Sequence, residues 1–245
     1  MRTNGKTKGL LWYVLLAMLL LVVAYGMQQI GFFSYVMENF YEILVLTKEH
    51  LLMVGLSMSI AIAVGIPLGI VLTRSPSKKW GSVIMYIVGI GQSMPSLAVI
   101  ALGMGFLGLG FKPAVFALTL YALLPIVRNT FNGINSVSAE ILEAGRGMGM
   151  APIHILWEIE IPNALYAILA GVRTALIINI GTAALAFLVG GGGLGDLIFT
   201  GIDLFEPGIM LAGAIPTALL ALVANKLFDL LENWLIPKGI QKAET

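Results

Sequence analysis

The sequence predicts an all-α integral membrane protein with about six transmembrane helices, both termini inside, and short helices on the cytoplasmic face between the fourth and fifth spans. Three observations predict it. Hydrophobic residues make up 58% of the 245-residue chain and charged residues 11%, at a mean hydropathy of +0.95, more apolar surface than a soluble core of this size can hide. Apolar runs near the roughly 20 residues needed to cross about 30 Å of hydrocarbon recur along the chain. Lysine and arginine are unevenly shared among the connecting segments.

The apolar runs are residues 10–27, 51–72, 83–107, 114–127, 164–189 and 208–228. The first follows Arg2, Lys6 and Lys8 and ends near Ala24-Tyr25-Gly26, a small-residue pattern that a cleaved signal peptide shares, but its length favours an uncleaved span. Gln92-Ser93-Met94-Pro95-Ser96 interrupts the third. The fourth is short and must draw on Lys112, Pro113 or residues after Arg128. The fifth carries Arg173 several residues inside its boundary, so that side chain must snorkel or find a partner. The sixth ends with Leu227, Leu230, Leu231 and Trp234 as an apolar stripe, leaving Lys226, Asp229 and Glu232 on the wetter side.

With the N-terminus inside, Arg2, Lys6, Lys8, Arg74, Lys78, Lys79, Arg128, Arg146, Lys238 and Lys242 are cytoplasmic, and only Lys48 and Lys112 lie outside. The external loops keep Glu38, Glu42, Asp196, Asp203 and Glu206. No polar gap is long enough to bury a core of its own. The chain therefore reads as one membrane domain, 1–245, in which 1–45 holds the first span and an external segment, and 46–235 forms the core around the polar segment 128–162.

Composition excludes several functions. A net charge of +1 and a pI near 7.9 give no basic field for nucleic acid. The absence of cysteine removes disulfides, thiolate metal sites and cysteine nucleophiles. His50 and His154 belong to no ligand-spacing motif, so no metal is assigned. Gly5-Lys6-Thr7 and the run from Gly103 to Gly108 match nucleotide-binding patterns in letters only, without the strand those motifs require. The spans hold no paired-carboxylate, His-metal or Ser-Lys constellation, so no catalytic residue is assigned and an intramembrane enzyme is the weakest reading. A self-contained secondary transporter usually carries ionisable residues deep in several spans, and here Arg173 stands nearly alone.

Segment 128–162 holds four carboxylates, two arginines and a histidine, so it must sit in water or against a soluble partner. Ser138 is placed to cap a helix over 139–146, with Glu140 in its first turn at the positive end of the dipole. Glycines 145, 147 and 149 then break it. Pro152 starts a second helix that is expected to end near Glu160, before Pro162. Its stripe of Ile155, Leu156 and Ile159 needs something to pack against, either its own bundle or a cytoplasmic protein.

The same run resembles the cytoplasmic signature of binding-protein-dependent ABC import permeases: Glu-Ala-Ala, three residues, Gly, nine residues, then Ile-x-Leu-Pro. Here it reads Glu143, Ala144, Gly145, then Gly149, then Ile159, Ile161 and Pro162, departing at Gly145 and Ile161. Residues 46–202 further resemble membrane subunits of osmoprotectant importers, through Leu124-Pro125-Ile126-Val127-Arg128-Asn129-Thr130, Ala144-Gly145-Arg146-Gly147-Met148-Gly149-Met150, Ala170-Gly171-Val172-Arg173-Thr174, Asn179-Ile180-Gly181-Thr182-Ala183 and Gly192-Gly193-Leu194-Gly195-Asp196.

That resemblance implies the type I ABC importer permease fold in a bacterial plasma membrane. It implies a second permease copy or paralogue, an external solute-binding protein, and two ATPase subunits that bind the ATP and Mg, this chain binding no cofactor. Glycine betaine, carnitine or choline is the implied solute class, with an amino-acid-type permease as the alternative. Docking on the ATPase is expected through Glu143, Ala144, Gly145, Gly149, Ile155, Leu156, Ile159 and Pro162, with Gly149 supplying close approach or a left-handed backbone.

Two regions are candidates for the path itself. Gln92, Ser93, Pro95 and Ser96 either line the passage or form a proline kink satisfied by neighbouring helices. In the fifth span Asn179 and Thr182 add a polar face. Gly192, Gly193, Gly195 and Asp196 then either form part of an outer gate or only terminate the helix.

Overall fold

The computed structural model describes residues 4–74 and 78–235; Arg2, Lys238 and Lys242 lie outside them. Among the described residues, five helical segments are long and apolar enough to cross a membrane: Trp12–Gln29, Phe40–Thr73, Phe111–Asn135, Pro152–Val189 and Pro207–Glu232. The pair Val83–Gly91 and Ser96–Leu107 supplies a sixth crossing if it counts as one span, bent by 95°.

The membrane-length helices begin with α1 (Asn4–Gln29), joined through the short α2 (Phe32–Glu38) to α3 (Phe40–Thr73). Sequence hydropathy placed the second span at 51–72, yet α3 starts at Phe40. At 34 residues it is about 51 Å long and must project beyond the hydrocarbon. Glu42, Lys48 and Glu49 lower the hydropathy of its first turns without breaking the helix. Ile43 and Leu46 there bury themselves with Leu194, Leu197 and Ala212.

The third span divides into α4 (Lys78–Gln92) and α5 (Ser96–Leu107). Pro95 explains the division, because it has no N–H to donate and its ring clashes with the carbonyl of Gly91. Ser93 and Met94 close turns onto Ile90 and Gly91, and Pro95 restarts the chain in an extended conformation. The fourth span, α6 (Phe111–Asn135), takes in Lys112, Pro113 and the residues after Arg128, as its short apolar run requires.

α6 is the centre of the bundle, packed between α3 and α9 (Ile161–Ala183). Lipid offers no hydrophobic drive for helix association, so close approach of backbones through small residues does the packing. On α3 the buried residues Ser57, Ala61, Gly65 and Gly69 recur every fourth position. A Cβ on Gly65 would lie 2.9 Å from Ile126, and one on Gly69 would lie 2.6 Å from Thr130. Gly133 meets Ala167 and Ala164 in the same way, and Gly171 meets Asn129 and the Pro125 carbonyl.

After α9 the chain tightens into a 3₁₀ segment, Ala184–Val189, then turns into α10 (Gly195–Asp203) and finishes in α11 (Pro207–Leu235). The expected faces of α11 are reversed except at Lys226, which stays exposed. Leu227, Leu230 and Trp234 are exposed, while Asp229 and Glu232 turn inward to Arg173. Lipid accommodates the leucines, whereas a guanidinium between two helices demands its counter-charges.

Candidate functional site

Between α6 and α9 lie α7 (Ala139–Gly147), α8 (Pro152–His154) and a π-helical stretch, Ile155–Glu160. Ser138 caps α7 as expected: its hydroxyl accepts from the Ile141 N–H at 3.4 Å and donates to the Glu140 carboxylate at 2.5 Å. That hydroxyl, followed by Glu140's own backbone N–H, holds the Glu140 carboxyl below the usual range.

Gly145 and Gly147 stay inside α7, and it is Gly149 alone that turns the chain, at φ 78°. The Met150 N–H reaches back to the Gly145 carbonyl and the Gly149 N–H to that of Arg146, the paired bonds of a Schellman cap with its left-handed residue at 149. Nothing lies within 4 Å of where a Gly149 Cβ would stand. Of the two roles expected for this glycine, the left-handed backbone is the one the geometry uses. Close approach falls to Gly145, where a Cβ would meet Ile159 at 2.7 Å.

The second helix does not stop before Pro162. Helical winding continues without a break over Pro152–Val189, because the π turn absorbs the proline. The Ile161 N–H bonds to Leu156, five residues back, and Pro162 takes the first turn of α9, where a missing N–H costs least. The Asn163 side chain donates to the Ile159 carbonyl at 2.6 Å.

This geometry sorts the docking candidates. Ile155 is buried and Leu156 and Ile159 are half-buried, Ile155 and Ile159 against α7 and Leu156 against Ile134, Ala164 and Ile168. Glu143, Ala144, Gly149 and Pro162 remain exposed, and Gly145 is buried. Ile141, Met148, Ile153 and Trp157 add exposed apolar surface to the segment, which sequence reasoning missed. The available signal was large apolar side chains lying off the expected stripe in an otherwise polar stretch.

At the helix break, the Ser93 hydroxyl donates to the Ile90 carbonyl at 2.7 Å, and the Tyr121 hydroxyl of α6 donates to the Met94 carbonyl. Pro95 is exposed and Ser96 half-buried; the side chain of Gln92 lies outside the described residues. A cavity of about 570 Å³ opens beside the break, lined by Tyr86, Ser93, Arg128 and Asn132 among others.

Asn179 and Thr182 are not part of this region. Asn179 is fully buried in the seam between α9 and α3, where its amide donates to the Ser57 hydroxyl at 2.7 Å, and Thr182 is half-buried one turn later. His50 crosses the same seam, its Nε2 2.9 Å from the Ile180 carbonyl. The Ala184 N–H has switched to Gly181, so His50 donates to the carbonyl left behind where α9 tightens into the 3₁₀ turn. Beyond it, Gly192 and Gly193 both have positive φ, and the Gly193 N–H donates to the Glu49 carboxylate at 3.2 Å. Gly195 starts α10 against Ala184, and Asp196 lies in its first turn. The glycine run thus ends one helix and sets the next across the end of α3.

Residues 65–238 match the family described as binding-protein-dependent transport system inner membrane component. The chain belongs to this family. The permease is 44% identical over 210 residues to a carnitine transport permease protein, OpuCB, of Listeria monocytogenes, covering 86% of this chain and 95% of that one. It is 42% identical to a choline transport system permease protein, OpuBB, of Bacillus subtilis, over 85% and 95% of the two chains. An osmoprotectant import permease protein, OsmY, of Salmonella typhimurium is 46% identical over 76% of this chain and 79% of its own. Among solved structures, the MetNI methionine ABC transporter in an inward-facing conformation shares the fold at TM-score 0.71 and 24% identity, covering 77% of the permease and 94% of that chain.

Arg173, expected to need a partner, has three in this permease. Its Nε and Nη2 donate to the Asn225 side-chain oxygen at 2.8 and 2.6 Å, its Nη2 pairs with Asp229 at 2.7 Å, and its Nη1 with Glu232 at 3.2 Å. The network ties α9 to α11 and leaves the guanidinium neutralised.

Proposed function

We propose that this permease forms the translocation path of an ATP-driven importer for quaternary ammonium solutes, of which glycine betaine, carnitine and choline are the class. The observation that carries this reading is the set of relatives named for carnitine, choline and glycine betaine transport, 41–44% identical over about 85% of the chain. The likeness to methionine and amino acid transporters, at 24% and 20% identity, concerns the fold alone and gives no comparable support for an amino-acid solute.

In this reading both termini and segment 128–162 face the cytoplasm, and a receptor delivers solute at the opposite end, near Glu49 and the glycine run. A second permease copy or paralogue completes the path. Two ATPase subunits hold the ATP and Mg and grip α7, α8 and the π turn. Closure of the ATPases on nucleotide moves this segment, and α9 moves with it because the winding from Pro152 to Val189 is unbroken. α6 follows through its small-residue contacts with α9.

The test is reconstitution of the permease in liposomes with its ATPase and receptor. ATP-dependent uptake of labelled choline, glycine betaine or carnitine is expected, and none by the permease alone. Uptake without the ATPase, or of unrelated solutes only, would refute the reading.

A further inference from the structure

A second cavity, of about 390 Å³, lies on the other side of the helix break from the Arg128 basin. Its volume falls within the range of roughly 300–1,000 Å³ typical of small-ligand pockets. Gly91 of α4, Met94 of the turn, Phe106 of α5, and Phe116, Tyr121 and Leu124 of α6 line it. Val99, Leu102, Gly103 and Leu120 complete the lining, so three of the ten described lining residues are aromatic and none is charged.

Local bonding holds the rings in place. The Tyr121 hydroxyl donates to the carbonyl of Met94 in the turn between α4 and α5, whose neighbouring amides at Ala98 and Val99 bond to Pro95 instead. Gly103 lets α5 approach α6 closely enough that a Cβ there would stand 3.6 Å from the Phe116 ring and 3.2 Å from the Pro113 carbonyl. Phe106, 85% exposed, stands at the rim. The break also presents the carbonyl end of α4, a 15-residue helix, whose dipole places partial negative charge there. Irregular backbone within an apolar run persists where protein or water satisfies it, and here Tyr121 satisfies the Met94 carbonyl.

The three solutes of the relatives narrow the chemistry. Glycine betaine and carnitine carry a carboxylate and choline does not, so the group common to all three is the trimethylammonium. Aromatic faces and a helix carbonyl end attract that group, whereas a basic side chain would repel it. We propose that the cavity bounded by Met94, Phe106, Phe116 and Tyr121 is a transient subsite for the trimethylammonium head of the solute during its passage. The proposal rests on the quaternary ammonium reading above.

The test uses the complete importer in liposomes and labelled choline, with an unaltered receptor. Phe116→Leu and Tyr121→Leu keep an apolar side chain and remove the ring, and each is expected to lower kcat/KM for choline uptake by roughly 5- to 30-fold. The ring-keeping variants Phe116→Tyr and Tyr121→Phe are expected to stay within about threefold of wild type. Leucine variants that transport choline as wild type does would overturn the subsite, and so would ring-keeping variants that lose uptake as fully as the leucine ones, since packing alone would then be at stake. Either result leaves the solute class standing. Wild-type vesicles that take up no choline, glycine betaine or carnitine would instead refute the solute class itself.

Discussion

Arg74, at the end of α3, forks onto Glu160, the last residue of the π turn, 86 positions later in the chain. Nη1 donates to Oε1 at 3.1 Å while Nη2 pairs with Oε2. The carboxylate is 7% exposed and the guanidinium 42%, so the acid is the more dependent partner. The pair fixes the base of α9 to α3 at the point where segment 128–162 enters the bundle.

Arg74→Ala strands the buried Glu160 carboxylate, whereas Glu160→Gln leaves an exposed arginine that water can solvate. The alanine variant is therefore expected to be the more damaging, by about 1–3 kcal/mol after allowing for the exposure of Arg74. Thermal unfolding of the two purified variants in detergent checks this, and equal midpoints would show that the pair contributes nothing directional. In the reconstituted importer both variants are expected to hydrolyse ATP with reduced solute uptake per ATP.

Much of this architecture was legible because lipid imposes simple rules. Apolar length located the spans, and Pro95 announced the break, since a missing N–H within a hydrophobic run has few outcomes. Ser138 and Pro152 marked the starts of their helices for equally local reasons. Pro162 misled because a proline is expected to end a helix, and the π turn that accommodates it depends on Asn163 and on the packing of Ile155 beneath α7. The reversed face of α11 was hidden for a different reason. An apolar stripe points inward in a water-soluble helix but outward in lipid, and only the position of Arg173 on a different helix decides the matter. Asn179 and His50 could not be assigned from sequence, because each is explained by a partner on another helix more than 100 positions away.

Gly149 separates a backbone requirement from a steric one. Its φ of 78° is strained for any side chain, while the space around it is open. Gly149→Ala is expected to cost about 1–2 kcal/mol and Gly149→Asn less, because asparagine tolerates the left-handed region. Gly149→Asp adds a charge to the exposed surface proposed to dock the ATPase and is expected to abolish ATPase co-purification while membrane insertion persists. Affinity capture of the ATPase by tagged permease distinguishes them, and an Asp variant that captures ATPase normally would show that Gly149 lies outside the contact.

The Arg173 network predicts a graded series. Arg173→Lys keeps the charge but loses the fork that reaches Asn225, Asp229 and Glu232 together, and is expected to lower stability by about 1–2 kcal/mol. Arg173→Leu leaves two carboxylates about one turn apart on the same face of α11 without their counter-charge and is expected to be worse than lysine. Adding Asp229→Asn and Glu232→Gln to the leucine variant removes that repulsion and should recover part of the loss. Unfolding midpoints in detergent measure the series; a triple variant no better than Arg173→Leu would mean that packing, rather than charge, dominates at this site.

Asp196 gives the end of the permease proposed to face the receptor a pH dependence of defined sign. Burial foremost, then the carboxylates of Glu49 and Glu42, push its carboxyl above the usual range, and its Oδ1 is buried without a hydrogen-bond partner. In the unfolded chain the same group titrates near its ordinary value of about 3.9. Between that value and the raised one, the folded protein holds a proton that the unfolded chain has released, so stability from this group increases as pH falls through the window and levels off beneath it. Asp196→Asn cannot titrate and carries no such term. The difference in unfolding midpoint, wild type minus Asp196→Asn, is therefore expected to grow more positive as the pH of the detergent solution is lowered from 7 to 4. A difference that stays constant, or moves the other way, would show that the carboxylate is compensated in the folded state and that the glycine run meets α3 without electrostatic cost.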